Sequence, residues 1–270
     1  MYKHKLGTDP TQDQLIFEES DEEFSCMVHK SKTEEYLFIH SESTISSEMR
    51  FLKSNQPDGD FQILQARIPH LEYAADHFGE FFWIKTNENA QNFKLVKTPV
   101  SNTEKENWVD VITHRSAVLL EDFDLFSRYL VTQERSNGLT QIQIKPWDRD
   151  GHALKFDDDT YTAWIGINPE FDTDILRYGY NSLVTPSSVY DYNMITGERT
   201  LLKQQEVVGD MIRIITILSE FGQKHQMRPW FRFRWCTENL FLSKMAKVHS
   251  SSIPMAPTAL AWMPTFQVID

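Results

Sequence analysis

Four short stretches carry side chains whose types and spacing could do chemistry. Trp147-Asp148-Arg149-Asp150-Gly151 resembles the start of a Ca²⁺ loop, with alternate carboxylates and a closing glycine. It lacks one acid of that pattern, and no helix bearing a bidentate Glu follows. A polar hairpin turn ending in Gly is the favoured reading. Asp157, Asp158 and Asp159 form an acidic run, expected as a solvated loop. His114 and Arg115 sit between the strand-like runs WVDVIT and AVLLEDF and could act as a pair; a turn with one satisfied histidine is favoured. Gln133-Glu134-Arg135 could order a loop by charge pairing, or could be strand-end charges facing water. A nucleophile elbow needs Gly-x-Ser-x-Gly, because small residues permit the strained strand-to-helix turn. No two of the ten glycines lie four apart. The His-x-x-x-His and Cys-x-x-Cys spacings that favour zinc are missing as well. Residues 1–210 therefore offer no catalytic set. No catalytic, cofactor-binding or metal-binding residue is assigned, and no cofactor is expected.

The elements that would position any site are strands. Runs rich in β-branched and aromatic residues recur between Asp, Asn, Gly, Ser and Pro: QLIFEE (14–19), EYLFIH (35–40), EFFWIKT (80–86), FKLVKT (93–98), RYLVTQE (128–134), LTQIQI (139–144) and SSVYDYN (187–193). MITGERTLLK (194–203) predicts a turn at Thr196-Gly197 and then a strand. Helical periodicity is scarce; LLEDFDLFSRYL (119–130) has room for one turn at most. The strands also repeat on a longer period. Segments starting at Glu35, Glu80, Arg128 and Leu176 each give a strand, a polar connection and a second strand, at offsets of 45 to 48 residues. That is the period of a four-stranded propeller blade, a unit that buries its faces only against its neighbours. The fold class is all-β, a partial β-propeller of about four antiparallel blades. The period favours it over a generic β-sandwich or two small β-domains.

The net charge of −12 argues against nucleic acid as a partner, because phosphate contacts need a basic face. Only two cysteines, Cys26 and Cys236, occur, far apart; that is neither a disulfide framework nor a metal cluster. No apolar run is long enough for a membrane helix and no secretory h-region opens the chain, so a cytoplasmic protein without membrane partners is expected. The charge is unevenly spread. Residues 211–270 hold seven Lys and Arg against three Asp and Glu, with five of the nine Met and three of the seven Trp, whereas residues 1–210 are strongly acidic. The expected organisation is a partial propeller over 1–210 and a non-native, irregular or disordered tail over 211–270.

Several phrases resemble the oligopeptidase B branch of the prolyl oligopeptidase family: HKLGTDPTQDQLIFEESDEEF, SSEMRFLK, HRSAVLLEDFDLF, RYLVTQERSNGLTQIQI and LRYGYNSLVTPSSVYDYNMITGERTLLKQQEV. The resemblance runs through residues 1–210 in order. It implies a seven-bladed propeller that lids an α/β-hydrolase domain and restricts it to short peptides, cleaved after basic residues by a Ser-His-Asp triad. That triad lies in the hydrolase part, which has no counterpart in residues 1–210. The resemblance makes Met1 an internal Met within a blade and the chain a fragment, inactive by itself. The alternative is a stand-alone propeller that binds a protein partner without catalysis.

The tail fits the same family in another reading frame. If the frame slipped near Gly209 or Asp210, each hidden codon takes the last base of one codon and the first two of the next. Met211 before Ile212 and Trp262 before Met263 then force Asp, while Met245 before Ala246 and Met255 before Ala256 force Gly. The remaining codons admit the family's linker, its Pro-Leu-Leu-Leu strand and its Tyr-Gly-Ser-Tyr-Gly loop. Residues 211–270 are therefore read as a frameshifted segment never selected to fold.

Overall fold

The computed structural model describes residues 1–207, so the reading of residues 211–270 lies outside the described part. A two-stranded sheet comes first, β1 (Tyr2–Lys3) with β2 (Gln14–Leu15). Four antiparallel four-stranded meanders follow. The first blade is β3 (Ser25–Lys30), β4 (Tyr36–Glu42), β5 (Ser47–Lys53) and β6 (Gln62–Gln65). The second is β7 (Tyr73–Phe78), β8 (Phe81–Thr86), β9 (Lys94–Pro99) and β10 (Val109–Ile112). The third is β11 (Leu119–Leu125), β12 (Tyr129–Ser136), β13 (Leu139–Pro146) and β14 (His152–Ala153). The fourth is β15 (Tyr161–Ile165), β16 (Ile175–Ser182), β17 (Ser188–Asn193) and β18 (Arg199–Gln204). The described residues are all-β with four blades, and the sequence period marks the second and third strands of each. No sheet closes on itself among the described residues.

Turn chemistry sets the hairpins. Asn137 and Gly138 both take positive φ (51° and 80°) between the paired Ser136 and Leu139, the two-residue loop that matches strand twist. Gly197 has φ 76° and closes the β17–β18 hairpin at the turn expected there.

The strands pack on both faces, and successive residues of one strand therefore enter different cores. Phe82 faces the first blade, where its ring meets Phe51 at 4.8 Å and Phe38 at 5.6 Å between centroids. Its neighbour Trp83 faces the third blade with Leu95, Leu120, Leu125 and Leu130. Val131, next to Leu130, joins Ile142 and Ile144 against Ala163, Leu176 and Tyr178 of the fourth blade. Three interblade cores thus hold the array.

Two local expectations change. QLIFEE gives strand only at Gln14–Leu15, because the Ile16 and Phe17 amides turn back to the Met1 carbonyl. Residues 17–24 instead lie against the first blade: Arg50 covers the Phe17 ring, Arg67 covers Phe24, and Arg67 pairs with Glu19 at 2.6 Å. Within 119–130, where one helical turn had room, Leu119–Leu125 is a strand with a register shift between Leu120 and Asp122. Leu120 and Leu125 are buried against the second blade, and that packing requires extended backbone.

Candidate functional site

The residues that reach furthest across the fold meet where the first strands of the blades converge. Lys32 lies in the turn from β3 to β4. Its amide donates to Asp76 Oδ1 of β7 at 2.8 Å, 44 residues on. Its Nζ donates to Asp124 Oδ1 of β11 at 2.5 Å, 92 residues on, and to the Asn168 carbonyl, 136 residues on. These are the second, third and fourth blades; Asp76 and Asp124 lie at matching positions of β7 and β11, whereas Asn168 lies beyond β15. The Phe126 ring lies 4.2 Å from the same ammonium. The Lys32 side chain is 7% exposed and that of Asp124 15%. Beside it, Thr33 Oγ1 and His77 Nδ1 are 2.7 Å apart, and His77 packs on Tyr36 at 4.6 Å between centroids.

Burial controls the ionisation of this cluster. It pushes the Asp76 carboxyl up to about 6, against the pull of the Lys32 and His77 amides that hold it. It raises Asp124 too, outweighing the attraction of the Lys32 ammonium. It lowers His77, which favours the neutral imidazole. The cluster offers a held ammonium and two proton-hungry carboxylates, so its chemistry is binding and orientation.

The residues singled out in the sequence fall elsewhere. Asp148, Arg149 and Asp150 form the turn between β13 and β14, where a Cβ on Gly151 would stand 2.7 Å from the Ile144 carbonyl; the hairpin reading fits. Asp157 and Asp159 are exposed, but Asp158 accepts the Tyr180 hydroxyl at 2.5 Å, so the acidic run is not wholly solvated. His114 and Arg115 do not act together. His114 is exposed, while Arg115 pairs with Glu134 at 2.6 Å. Glu134 is 5% exposed, and Arg135 meets Glu121 at 2.5 Å. The Gln133-Glu134-Arg135 stretch therefore pairs rather than facing water. A shallow polar cleft of about 270 Å³ lies by Glu34, Glu35, Tyr36, Lys53, Ser54 and Asn55. Among the described residues, no group of three His, Cys, Asp or Glu side chains could hold a metal ion. No described helix is long and apolar enough to cross a membrane.

Sequence reasoning passed over Lys32, Asp76 and Asp124. An aspartate recurring at one position of the repeat, Asp76 in β7 and Asp124 in β11, was the available signal for the two carboxylates; Lys32 carried none.

The family profile described as prolyl oligopeptidase, N-terminal beta-propeller domain, matches residues 1–205. The chain belongs to the prolyl oligopeptidase family. Dipeptidyl aminopeptidase BI of Pseudoxanthomonas mexicana is 41% identical over 207 residues, which are 76% of this chain and 28% of that protein. Protease 2 of Moraxella lacunata is 30% identical over 224 residues, 83% of this chain and 31% of that protein. Among solved structures, Leishmania major oligopeptidase B superposes with TM-score 0.70 at 25% identity, covering 78% of this chain and 32% of that one. Trypanosoma brucei oligopeptidase B, in a closed form with covalently bound antipain, gives TM-score 0.72 at 24% identity over the same 78% and 32%. Residues 1–205 thus correspond to the family's N-terminal propeller region, and the chain spans less than a third of the length of these relatives.

Proposed function

We propose that these blades form the access-limiting part of a serine oligopeptidase of the oligopeptidase B type, which admits short peptides and cleaves them after basic residues. The observation that carries this is the four-blade array coinciding with the family's propeller profile over residues 1–205. The blades offer packed β-sheet and a binding cluster rather than a nucleophile, so the chain by itself is expected to have no peptidase activity. The test is hydrolysis of an arginyl peptide amide by the purified 270-residue chain. Activity abolished by a serine-directed inhibitor would overturn the proposal. The setting proposed is the cytoplasm, in keeping with two cysteines in 270 residues. The proposed partners are short peptides, with neither nucleic acid nor membrane.

A second specificity is favoured by one observation: a more similar relative bears the name dipeptidyl aminopeptidase. In that reading the whole enzyme removes dipeptides from a free amino terminus. Blocking the amino terminus of the test peptide separates the two, because only the dipeptidyl activity needs it free.

The tail of residues 211–270 is proposed to be a frame-slipped reading of the segment that leads to the hydrolase domain. Resequencing the gene from codon 200 onward decides this. An uninterrupted second frame that spells Tyr-Gly-Ser-Tyr-Gly supports it, and any other sequence refutes it.

A further inference from the structure

Several ion pairs in this fold join neighbouring strands or a strand and its adjacent loop. Lys30 with Glu34 and Arg177 with Asp191 are exposed examples within one blade. Lys32 differs in reach, in burial and in the number of blades it joins. What receives its ammonium is built without the first blade. Asp124 and Phe126 come from the end of β11 and the turn after it. Asn168 comes from the loop between β15 and β16, and that loop is fixed to the third blade independently of Lys32. The Ser127 amide donates to the Phe171 carbonyl at 2.9 Å, Tyr129 Oη donates to Asp174 at 2.9 Å, and Arg128 pairs with Asp174 at 2.8 Å. Asn168 is also fixed within its own blade. Its side chain accepts the Arg177 amide at 2.7 Å and donates to the Gly166 carbonyl at 3.0 Å. The Asn168 carbonyl is therefore held by other contacts, while Asp124 is carried by its ladder pairing with Val131 and the Phe126 ring by the core of the third and fourth blades.

We propose that Asp124, the Asn168 carbonyl and the Phe126 ring form a receptor for a primary alkylammonium group, built by the third and fourth blades and filled by Lys32 of the first. A carboxylate, a carbonyl and an aromatic face each attract an ammonium, and here they converge on one point. The N–H groups of a primary ammonium satisfy both oxygens at once. A quaternary ammonium carries the same charge and has no N–H to give them. Emptying the receptor leaves a carboxylate away from water with no cation, the costly half of a broken buried pair. The occupied receptor ties the first blade to the third and fourth past the second, two blades with which the first shares no core.

The experiment is chemical rescue in the full 270-residue chain. Lys32→Ala removes the atoms from Cγ to Nζ, which n-propylammonium replaces. The melting temperature of Lys32→Ala is expected to fall by about 5 °C or more. n-Propylammonium should recover much of that loss by mass action. Tetramethylammonium at equal concentration should not, and adding Asp124→Asn should abolish the recovery. If n-propylammonium raises Lys32→Ala no more than it raises the unsubstituted chain, there is no receptor. Should Lys32→Ala not fold, Lys32→Met keeps most of the side-chain volume and is read by hydrogen exchange. Amides of 123–126 and 166–177 are expected to exchange roughly tenfold faster. Acceleration confined to 25–42 means a local turn contact and overturns the proposal.

Discussion

Asp76→Asn should make this protein more stable near neutral pH, against the ordinary expectation for a charged residue in a polar cluster. Asp76 Oδ1 accepts two amides, from Lys32 at 2.8 Å and from His77 at 2.7 Å. An asparagine carbonyl keeps both bonds. What the substitution removes is the cost of holding a carboxylate away from water, which lifts this carboxyl from 3.8 to about 6. At ~1.4 kcal/mol per tenfold change in proton affinity, that displacement is worth ~3 kcal/mol. Asp76 is only half-buried as a residue, which makes this a ceiling; a gain of roughly 1–3 kcal/mol is expected. A carboxyl raised in the folded state stabilises the fold below its unfolded value near 3.8, and that contribution is lost as pH rises through about 6. The advantage of Asp76→Asn should therefore be full at pH 7.5 and small at pH 4. Urea midpoints of both proteins at the two pH values measure it. A variant that is less stable at pH 7.5, or a difference that does not shrink on acidification, would refute the reasoning.

Two further substitutions probe the packing that aligns the blades. Phe82→Ala empties a site with no exposed surface, ringed by Tyr36, Phe38 and Phe51, and should cost about 3–5 kcal/mol in urea unfolding. A loss under about 1 kcal/mol would mean that the core between the first and second blades contributes little. Gly179→Ala brings a Cβ to 2.1 Å from Trp164 Cε2 and should cost about 1–3 kcal/mol, with a change in near-ultraviolet circular dichroism as the indole shifts. An unchanged spectrum and midpoint would show that the Trp164 indole does not lie over Gly179 of the neighbouring strand.

Local signals carried most of the strand pattern. Alternation of β-branched and aromatic residues, glycines in the turns and a repeat of 45 to 48 residues are all short-range or periodic, and they survive in the sequence because every blade solves the same packing problem. They misled where a strand-like run had no partner to pair with. QLIFEE has the composition of a strand, yet beyond Leu15 its amides turn back to Met1. They were undecided at Leu119–Leu125, where burial against the second blade selects extended backbone.

The residues by themselves determined the class, the blade period, the turns and the likeness to a peptidase propeller. Only the tertiary structure decided which polar groups meet. Glu134 sits one residue from Arg135, yet it pairs with Arg115 while Arg135 turns to Glu121. Lys32 finds partners 44, 92 and 136 residues away. Neither pairing follows from spacing along the chain. The first is set by the pairing of β11 with β12 inside the third blade. The second arises because the blades pack face to face, bringing β7, the end of β11 and the β15–β16 loop within reach of a single lysine and removing the water that would otherwise have answered its charge.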